Sequence, residues 1–197
     1  MDQLGIPSAI IGGIAINANG IARFTEDVDA TIPGAGLNLD RLVRTLGKNR
    51  IAARAPDVVE FARQNQVLLL HHVPSGIDLD LSLAWIAFEL EAIKNALDLT
   101  FGSARIRAAR PEDLLIYKLI AKRPQDVSDA ERLLLLFRSD IDLARVRRVL
   151  GEISEHLNGP DRAALLKRLV GKLPPPSLNR GGTKPRRPKR TPGLIKP

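Results

Sequence analysis

Two aspartates and a glycine pair are the residues of this chain best suited to chemistry. Asp27 and Asp29 flank a single valine, and Asp27 lies fourteen residues after the second glycine of Gly12-Gly13. Side chains at positions i and i+2 of a strand point to the same face, so both carboxylates are expected to project beside a glycine-rich turn. Carboxylate oxygens bind hard cations, and glycine allows close approach of the backbone to a ligand. The pattern predicts a site for metal and phosphate.

A later segment offers further carboxylates. Asp78 and Asp80 are also two residues apart, so in a strand they share a face. In two-metal phosphoryl or nucleotidyl transfer one ion activates the attacking oxygen and the other neutralises the leaving pyrophosphate. A third carboxylate is normally needed on the ion that binds the acceptor hydroxyl, and the spacing alone leaves both candidates open. The helix that follows Gly12-Gly13 would receive a triphosphate at its N-terminus, where its dipole favours negative charge.

These residues need strands and helices to position them. Periodicity and turn residues predict strands over 8–11, 28–32 and 103–109, a hairpin over 67–83, and helices over 12–18, from Asp40, from Pro56-Asp57 and over 86–97. From Pro111 onward the chain is expected to be helical, with further helices near 126–138, 142–157 and 160–172. Trp85 and Phe88 are expected to be core residues. We divide the chain into an α/β core (1–109), a helical region packed on it (110–173) and a tail (174–197).

Composition narrows the function classes. The absence of cysteine excludes disulfides, thiolate metal sites and cysteine nucleophiles, and it favours a cytoplasmic location. No apolar run is long enough to span a membrane and no signal peptide is evident. Seven of the 30 Lys and Arg residues and seven of the 14 prolines lie in the tail, which has no acid and is expected to be disordered. It either solubilises the protein or binds RNA or DNA through phosphates.

Four segments together resemble the nucleotidyltransferase superfamily typified by DNA polymerase β, and more narrowly the small bacterial nucleotidyltransferases related to the AbiEii abortive-infection toxins. They fall within about residues 8–135 and comprise Ile10-Ile11-Gly12-Gly13-Ile14-Ala15, Arg23-Phe24-Thr25-Glu26-Asp27-Val28-Asp29, Asp78-Leu79-Asp80-Leu81-Ser82-Leu83, and Pro111-Glu112-Asp113-Leu114 through Lys118 to Asp126 and Asp129. The resemblance implies an α+β fold, with a small mixed β-sheet nucleotidyltransferase core, flanking helices and a helical C-terminal half.

The resemblance also implies roles by position. Gly12 and Gly13 would approach the nucleotide phosphates, Asp27 and Asp29 would bind metal, and Asp80 would complete the site. Asp80 is preferred to Asp78 because its Asp-Leu-Ser-Leu context resembles the family's Val-Asp-Ile-Ser.

Further positions follow from the same resemblance. Lys118 would neutralise the triphosphate, with a solvated helix residue as the alternative. Arg23 would brace the Asp-x-Asp turn or a phosphate, and Thr25 of the same motif belongs to the nucleotide site. The toxins carry arginine directly before the aspartate that corresponds to Asp126, whereas this chain has Gln125. Asp126 and Asp129 are interpreted as a helix N-terminus with its salt bridges rather than as ligands.

The sequence therefore predicts a nucleotidyltransferase that uses two Mg²⁺ ions, or Mn²⁺, to move an NMP from an NTP to a hydroxyl acceptor with release of pyrophosphate. If the toxin-like resemblance extends to biology, the acceptor is a tRNA end or a protein side chain, and an antitoxin is a partner. The alternative is a catalytically inactive nucleotide- or RNA-binding module of the same fold. A third hypothesis is a partner-binding protein that uses only its helical back half.

Overall fold

A seven-stranded mixed sheet forms the centre of the fold in the computed structural model, which describes residue 1, residues 4–156 and residues 161–174. The strand order is β3-β4-β5-β2-β1-β7-β6. The strands are β1 (Ala9–Ile10), β2 (Asp27–Pro33), β3 (Ile51–Ala53), β4 (Val67–His72), β5 (Ile77–Ala84), β6 (Leu97–Phe101) and β7 (Ala104–Ala108). Strands β2 and β5 are parallel, and so are β1 and β7, whereas the other neighbours are antiparallel. The fold class is α+β, as predicted.

Helices pack on the sheet and continue after it. They are α1 (Gly12–Ala18), α2 (Leu39–Lys48), α3 (Val58–Asn65), α4 (Ala87–Lys94), α5 (Pro111–Ala121), α6 (Pro124–Phe137), α7 (Leu143–His156) and α8 (Asp161–Lys172). Proline stands in the first turn of both α5 and α6, where its fixed φ suits a helix and its missing N–H costs nothing. Among the described residues, no helix is both long and apolar enough to cross a membrane.

Alternation along β2 and β5 divides their side chains between two environments. Ala30 and Ile32 of β2, with Leu81 and Leu83 of β5, join a buried cluster that includes α2 and α3. A second cluster combines residues of α1 and α4 with residues of α5 to α8. Because strand side chains alternate with a period of two, the aspartates of β2 and β5 point away from the α2–α3 cluster.

Some predicted elements and positions need correction. Strands β3 and β6 were not predicted, and β6 begins at Leu97, where we had expected α4 to end. Helix α2 begins at Leu39 rather than at Asp40, and its cap is Asn38, whose Oδ1 accepts a hydrogen bond from the Arg41 amide. Phe88 is buried as predicted, but the prediction for Trp85 is wrong because this residue is 60% exposed. The tail predicted at 174–197 lies, beyond residue 174, outside the described residues.

Candidate active site

Four carboxylates lie near the N-terminal ends of the neighbouring central strands β2 and β5, in two cross-strand pairs. In the parallel pairing of β2 with β5, Asp27 is opposite Asp78 and Asp29 is opposite Asp80. Residues directly opposite each other in paired strands point to the same face, so all four carboxylates project from one side of the sheet. The predicted aspartates therefore lie together although about fifty residues separate their strands. We call these four residues the carboxylate array.

Gly12 makes room for one member of the carboxylate array. Strand β1 runs antiparallel to β2, so it ends at the edge where β2 begins, and the Ile11 amide donates to the Asp29 carbonyl at 2.9 Å. Gly12 has φ +61°, and a Cβ built on it would lie 1.8 Å from Asp29 Oδ2. A side chain at this position would displace the carboxylate. The missing Cβ thus accommodates Asp29, which is a different use of glycine from the phosphate contact we expected.

Gly13 packs against the segment that leads into β2. A Cβ on it would lie 1.9 Å from Arg23 Nη1 and 2.5 Å from Thr25 Oγ1. Thr25 Oγ1 in turn donates a hydrogen bond to Asp27 Oδ1 at 2.7 Å. Sequence reasoning missed Asn17, whose side chain bonds both main-chain groups of Arg23, accepting from its amide at 2.7 Å and donating to its carbonyl at 2.6 Å. Helix α1 therefore fixes the segment that carries the Asp-x-Asp motif.

A buried chain of charges connects this segment to α5 and α6. Lys118 of α5 lies 2.8 Å from Asp126 Oδ1 and 3.2 Å from Asp129 Oδ2, and its side chain is only 7% exposed. Arg23 completes the chain, with Nε 3.2 Å from Asp129 Oδ2. Lys118 is therefore not the solvated residue of the alternative interpretation, and its charge is engaged by two aspartates. Asp126 and Asp129 lie in salt bridges near the start of α6, as we interpreted them.

Arg54 contacts both aspartates of β5, Asp78 and Asp80, and the imidazole of His71 contacts Asp78. Arg54, just after β3, places Nη1 3.2 Å from Asp78 Oδ2 and Nη2 in contact with Asp80 Oδ1, while its Nε donates to the Leu70 carbonyl at 2.9 Å. His71 Nδ1 lies 2.7 Å from Asp78 Oδ1 across the hairpin. Pairing of β3 with β4 brings Arg54 here, and β3 was itself not predicted.

The two aspartates of β2, Asp27 and Asp29, lie close enough to repel each other. Burial raises the pKa of Asp29 above its ordinary value, and the carboxylates of Asp27 and Asp80 raise it further. Lys118 and Arg123 act in the opposite direction. A bound cation would relieve the repulsion between these carboxylates, so the electrostatics of the site favour cation binding beside Asp29.

The carboxylate oxygens of this site are the kind of ligand that a hard divalent cation binds, but they are not arranged around a single point. Mg²⁺ takes oxygen ligands and is commonly held by one or two carboxylates together with substrate phosphates. Within residues 1, 4–156 and 161–174, no group of three or more His, Asp or Glu side chains is arranged to hold a metal ion. Asp80 contacts Arg54 instead of joining Asp27 and Asp29 at one point. Asp27 and Asp29 are thus the residues that would hold a cation, with Asp80 as a further ligand once it leaves Arg54.

Comparison with known families decides the classification. The model of the family described as nucleotidyl transferase AbiEii toxin, type IV toxin–antitoxin system, matches residues 3–187. The chain belongs to this family. The match extends over both the strand-rich part and the helices that follow it, so it confirms the resemblance inferred from the four segments. No curated protein sequence matches the AbiEii-family chain closely enough to count as a relative.

Solved structures agree with the fold of this AbiEii-family chain. The solution structure of the antibiotic-resistance factor ANT(2'')-Ia aligns with a TM-score of 0.55 at 17% identity, covering 85% of this chain and 89% of that one. A crystal structure of ANT(2'')-Ia in complex with adenylyl-2''-tobramycin aligns with a TM-score of 0.48 at 20% identity, covering 85% and 91%. At such low sequence identities the structural likeness shows only a shared fold. This conclusion rests on the solution structure, whose TM-score is 0.55.

Proposed function

We propose that this AbiEii-family nucleotidyltransferase is an active, metal-dependent enzyme that transfers an NMP from an NTP to a hydroxyl acceptor and releases pyrophosphate. The observation that supports it most is the register of β2 and β5, which sets Asp27 and Asp29 beside Asp80 at the edge where Gly12 ends β1. Family membership supports the reaction class.

The chemistry divides among the chain's own residues. The acceptor oxygen attacks the α-phosphorus of the NTP, a new P–O bond forms, and the bond to the bridging oxygen of pyrophosphate breaks. Asp80 receives the acceptor proton, while Asp27 and Asp29 would hold the cofactor, Mg²⁺ or Mn²⁺. Two such ions, when bound, make the acceptor oxygen more nucleophilic and offset the charge that develops on pyrophosphate.

The remaining residues orient this centre. Thr25 holds Asp27 through one hydrogen bond, and Gly12 allows Asp29 its position. Arg23 and Lys118, buried with Asp129, act as positioning residues that fix the loop before β2 against α6. We place the nucleotide phosphates between this loop and the carboxylate array.

The acceptor belongs to the finer part of the proposal. The family description names a toxin of a type IV toxin–antitoxin system, which implies an antitoxin partner. We propose an RNA end, such as that of tRNA, or a protein hydroxyl as the acceptor.

Labelled transfer tests the proposal. Full-length protein is incubated with Mg²⁺, bulk RNA or whole-cell protein, and each α-labelled NTP, and both acceptor labelling and pyrophosphate are measured. Asp29→Asn is expected to lower both by about 100-fold or more, because the substitution removes a negatively charged metal ligand while it keeps the shape of the side chain. Asp98→Asn removes a carboxylate from β6, near the far end of the sheet, and serves as the matched control. Equal labelling by Asp29→Asn and wild type would refute the proposal.

One observation favours a second function, that of a nucleotide- or RNA-binding module without turnover. Arg54 engages Asp80, so the three proposed ligands do not meet at one point. Calorimetry separates the two functions. A module would bind NTP equally well with or without Mg²⁺ and after loss of Asp27 and Asp29, whereas the enzyme would bind NTP more tightly with Mg²⁺ and lose this gain in the variants.

A further inference from the structure

Arg123 is an exposed arginine at the outer end of the buried chain of charges. It directly precedes α6, and its side chain is 78% exposed, compared with 7% for Lys118 and 14% for Arg23. Its Nε donates to Asp126 Oδ2 at 2.8 Å, and its amide donates to the same oxygen at 3.2 Å. Within the described part of the chain these contacts engage Nε alone among the guanidinium nitrogens, which leaves Nη1 and Nη2 for a ligand.

The anchor of Arg123 belongs to the buried charge chain. Asp126, which holds Arg123, is itself held by Lys118, and Lys118 also contacts Asp129. Asp129 pairs with Arg23, whose Nη1 lies over Gly13. A continuous series of contacts thus runs from the exposed guanidinium to the glycine turn, so Arg123 is oriented by the same elements that build the site.

Arg123 is also electrostatically coupled to the two aspartates of β2. Contact with Asp126 contributes most to raising the pKa of Arg123, and the fields of Asp29 and Asp27 raise it as well. The coupling is mutual, since Arg123 also acts to lower the pKa of Asp29. Among the buried cations, Lys118 faces two aspartates, so its ammonium group, which has three N–H donors, has at most one left for an anionic ligand.

We infer that Arg123 binds the terminal phosphates of the NTP, with Asp126 as its positioning residue. An arginine guanidinium presents paired N–H donors that match phosphate oxygens, and such charge-assisted contacts are strong. The inference rests on the proposed function, because it assumes that the α-phosphate lies at Asp27 and Asp29. It assigns to Arg123 the triphosphate contact that the resemblance had assigned to Lys118.

Binding without turnover tests the inference. Dissociation constants are measured by calorimetry with Mg²⁺ for a non-hydrolysable NTP and for the matching NMP. The proteins are wild type, Arg123→Ala, Arg123→Lys and Lys122→Ala. Lys122→Ala is the matched control, because it removes the same charge at the neighbouring position. Lys122 pairs there with Asp161 at 2.5 Å. Thermal melting of each variant reports whether it is folded.

We expect Arg123→Ala to weaken NTP binding by about 10- to 100-fold and NMP binding by less than about threefold, since only the NTP carries the terminal phosphates. Arg123→Lys should restore part of the loss, and Lys122→Ala should match wild type. Equal weakening of NTP and NMP, or no difference between Arg123→Ala and Lys122→Ala, would overturn the inference while leaving the proposed function intact. Absence of NTP binding by wild type would instead overturn both.

Discussion

Gly12 and Asp29 form the most restrictive contact of the site. The backbone at Gly12 is left-handed, with φ +61°, and the carboxylate of Asp29 occupies the position of a Cβ. Two separate physical effects therefore oppose any other residue at position 12. The first is backbone strain, about 1 kcal/mol for alanine. The second is the displacement of a carboxylate that must be held at a defined position for catalysis.

Comparison of two glycines separates these effects. Gly36 also has a positive φ, +73°, but a Cβ on it would meet nothing within 4 Å. We expect Gly12→Ala and Gly36→Ala both to lose at least about 1 kcal/mol of unfolding free energy, whereas only Gly12→Ala loses about 100-fold in transfer rate. Urea denaturation and the labelled-transfer assay measure the two quantities. Full activity in Gly12→Ala would show that the position of Asp29 does not matter.

Arg54 offers a second test at single-residue scale. Its guanidinium contacts Asp78 and Asp80, so it competes with a metal ion for the same oxygens. Arg54→Ala should therefore tighten Mn²⁺ binding by about fivefold, equivalent to about 1 kcal/mol, as expected for partly exposed charges. Arg44→Ala, on α2, removes the same charge away from the array and is the control. Manganese titration followed by electron paramagnetic resonance gives the affinities, and unchanged or weaker binding in Arg54→Ala would contradict the account.

The connection of α5 with α6 is the main structural relation among the helices around the site. Lys118 extends from α5 between Asp126 and Asp129 of α6, and all three side chains are nearly fully buried. A buried charge without a partner is strongly destabilising, so such a group fixes how two helices meet. Through Asp129 and Arg23 it also fixes the segment that precedes β2.

Removal of the lysine charge should destabilise the fold. We expect Lys118→Met to lower the unfolding free energy by about 3 kcal/mol, because Asp126 and Asp129 each lose a buried counterion. Lys122→Met, which removes a partly exposed charge one position beyond the end of α5, should cost less than about 1 kcal/mol. Urea denaturation at neutral pH compares the two. Equal stability of Lys118→Met and wild type would show that the buried charge chain does not hold the helices together.

The same contacts predict how stability depends on pH. Burial opposes the ionisation of Asp126, but Lys118 and Arg123 outweigh it, so the pKa of Asp126 lies below the ordinary value of 3.8. Its folded pKa is thus lower than its unfolded pKa, and its contribution to stability is present above about pH 4 and is lost as the pH falls through the folded value. Acid unfolding followed by circular dichroism should show this loss, and Asp126→Asn should lack that part of it.

Local patterns predicted some elements and not others, for physical reasons. The hairpin of β4 and β5 was predictable because a β-like apolar run leads into a Pro-Ser-Gly turn and apolar and polar residues alternate after it. Strand β3 has only three residues, two of them exposed alanines, so it lacks a hydrophobic pattern. Its position depends on pairing with β4, which is a long-range effect.

The same distinction explains what was predictable within the site. The shared face of Asp27 and Asp29 follows from strand geometry alone. The placement of Arg54 follows from tertiary pairing across 26 residues, and no local pattern marks it. The burial of Lys118 likewise depends on how α6 packs against α5. Trp85 shows the converse error, because an aromatic residue next to a helix was taken as core but is exposed.

At the scale of the whole molecule, charge is unevenly distributed along the chain. Outside residues 174–197 the 23 basic residues nearly balance the 22 acidic ones, so most of the net charge of +8 comes from that segment. A nearly neutral body contributes little electrostatic affinity for RNA. The basic segment could supply affinity that is independent of sequence.

Truncation measures this contribution. Removal of residues 175–197 should weaken binding to single-stranded RNA. It should also make the slope of log K against log salt concentration shallower by up to about 5, because up to seven phosphate contacts are lost. Fluorescence anisotropy across a salt series gives both slopes. The same truncation should leave NTP binding unchanged. Identical RNA slopes for the two proteins would support the solubilising interpretation of the tail.

The location of metal and triphosphate tests the central claim most directly. We would soak crystals of the full chain with Mn²⁺ and a non-hydrolysable NTP and measure anomalous diffraction. The account predicts manganese within direct coordination distance, about 2.0–2.3 Å, of carboxylate oxygens of both Asp27 and Asp29, with the α-phosphate bound to the same metal. Triphosphate and manganese bound elsewhere, for example in the cleft lined by Gly34, Asn38 and Arg63 at the opposite end of the sheet, would contradict it.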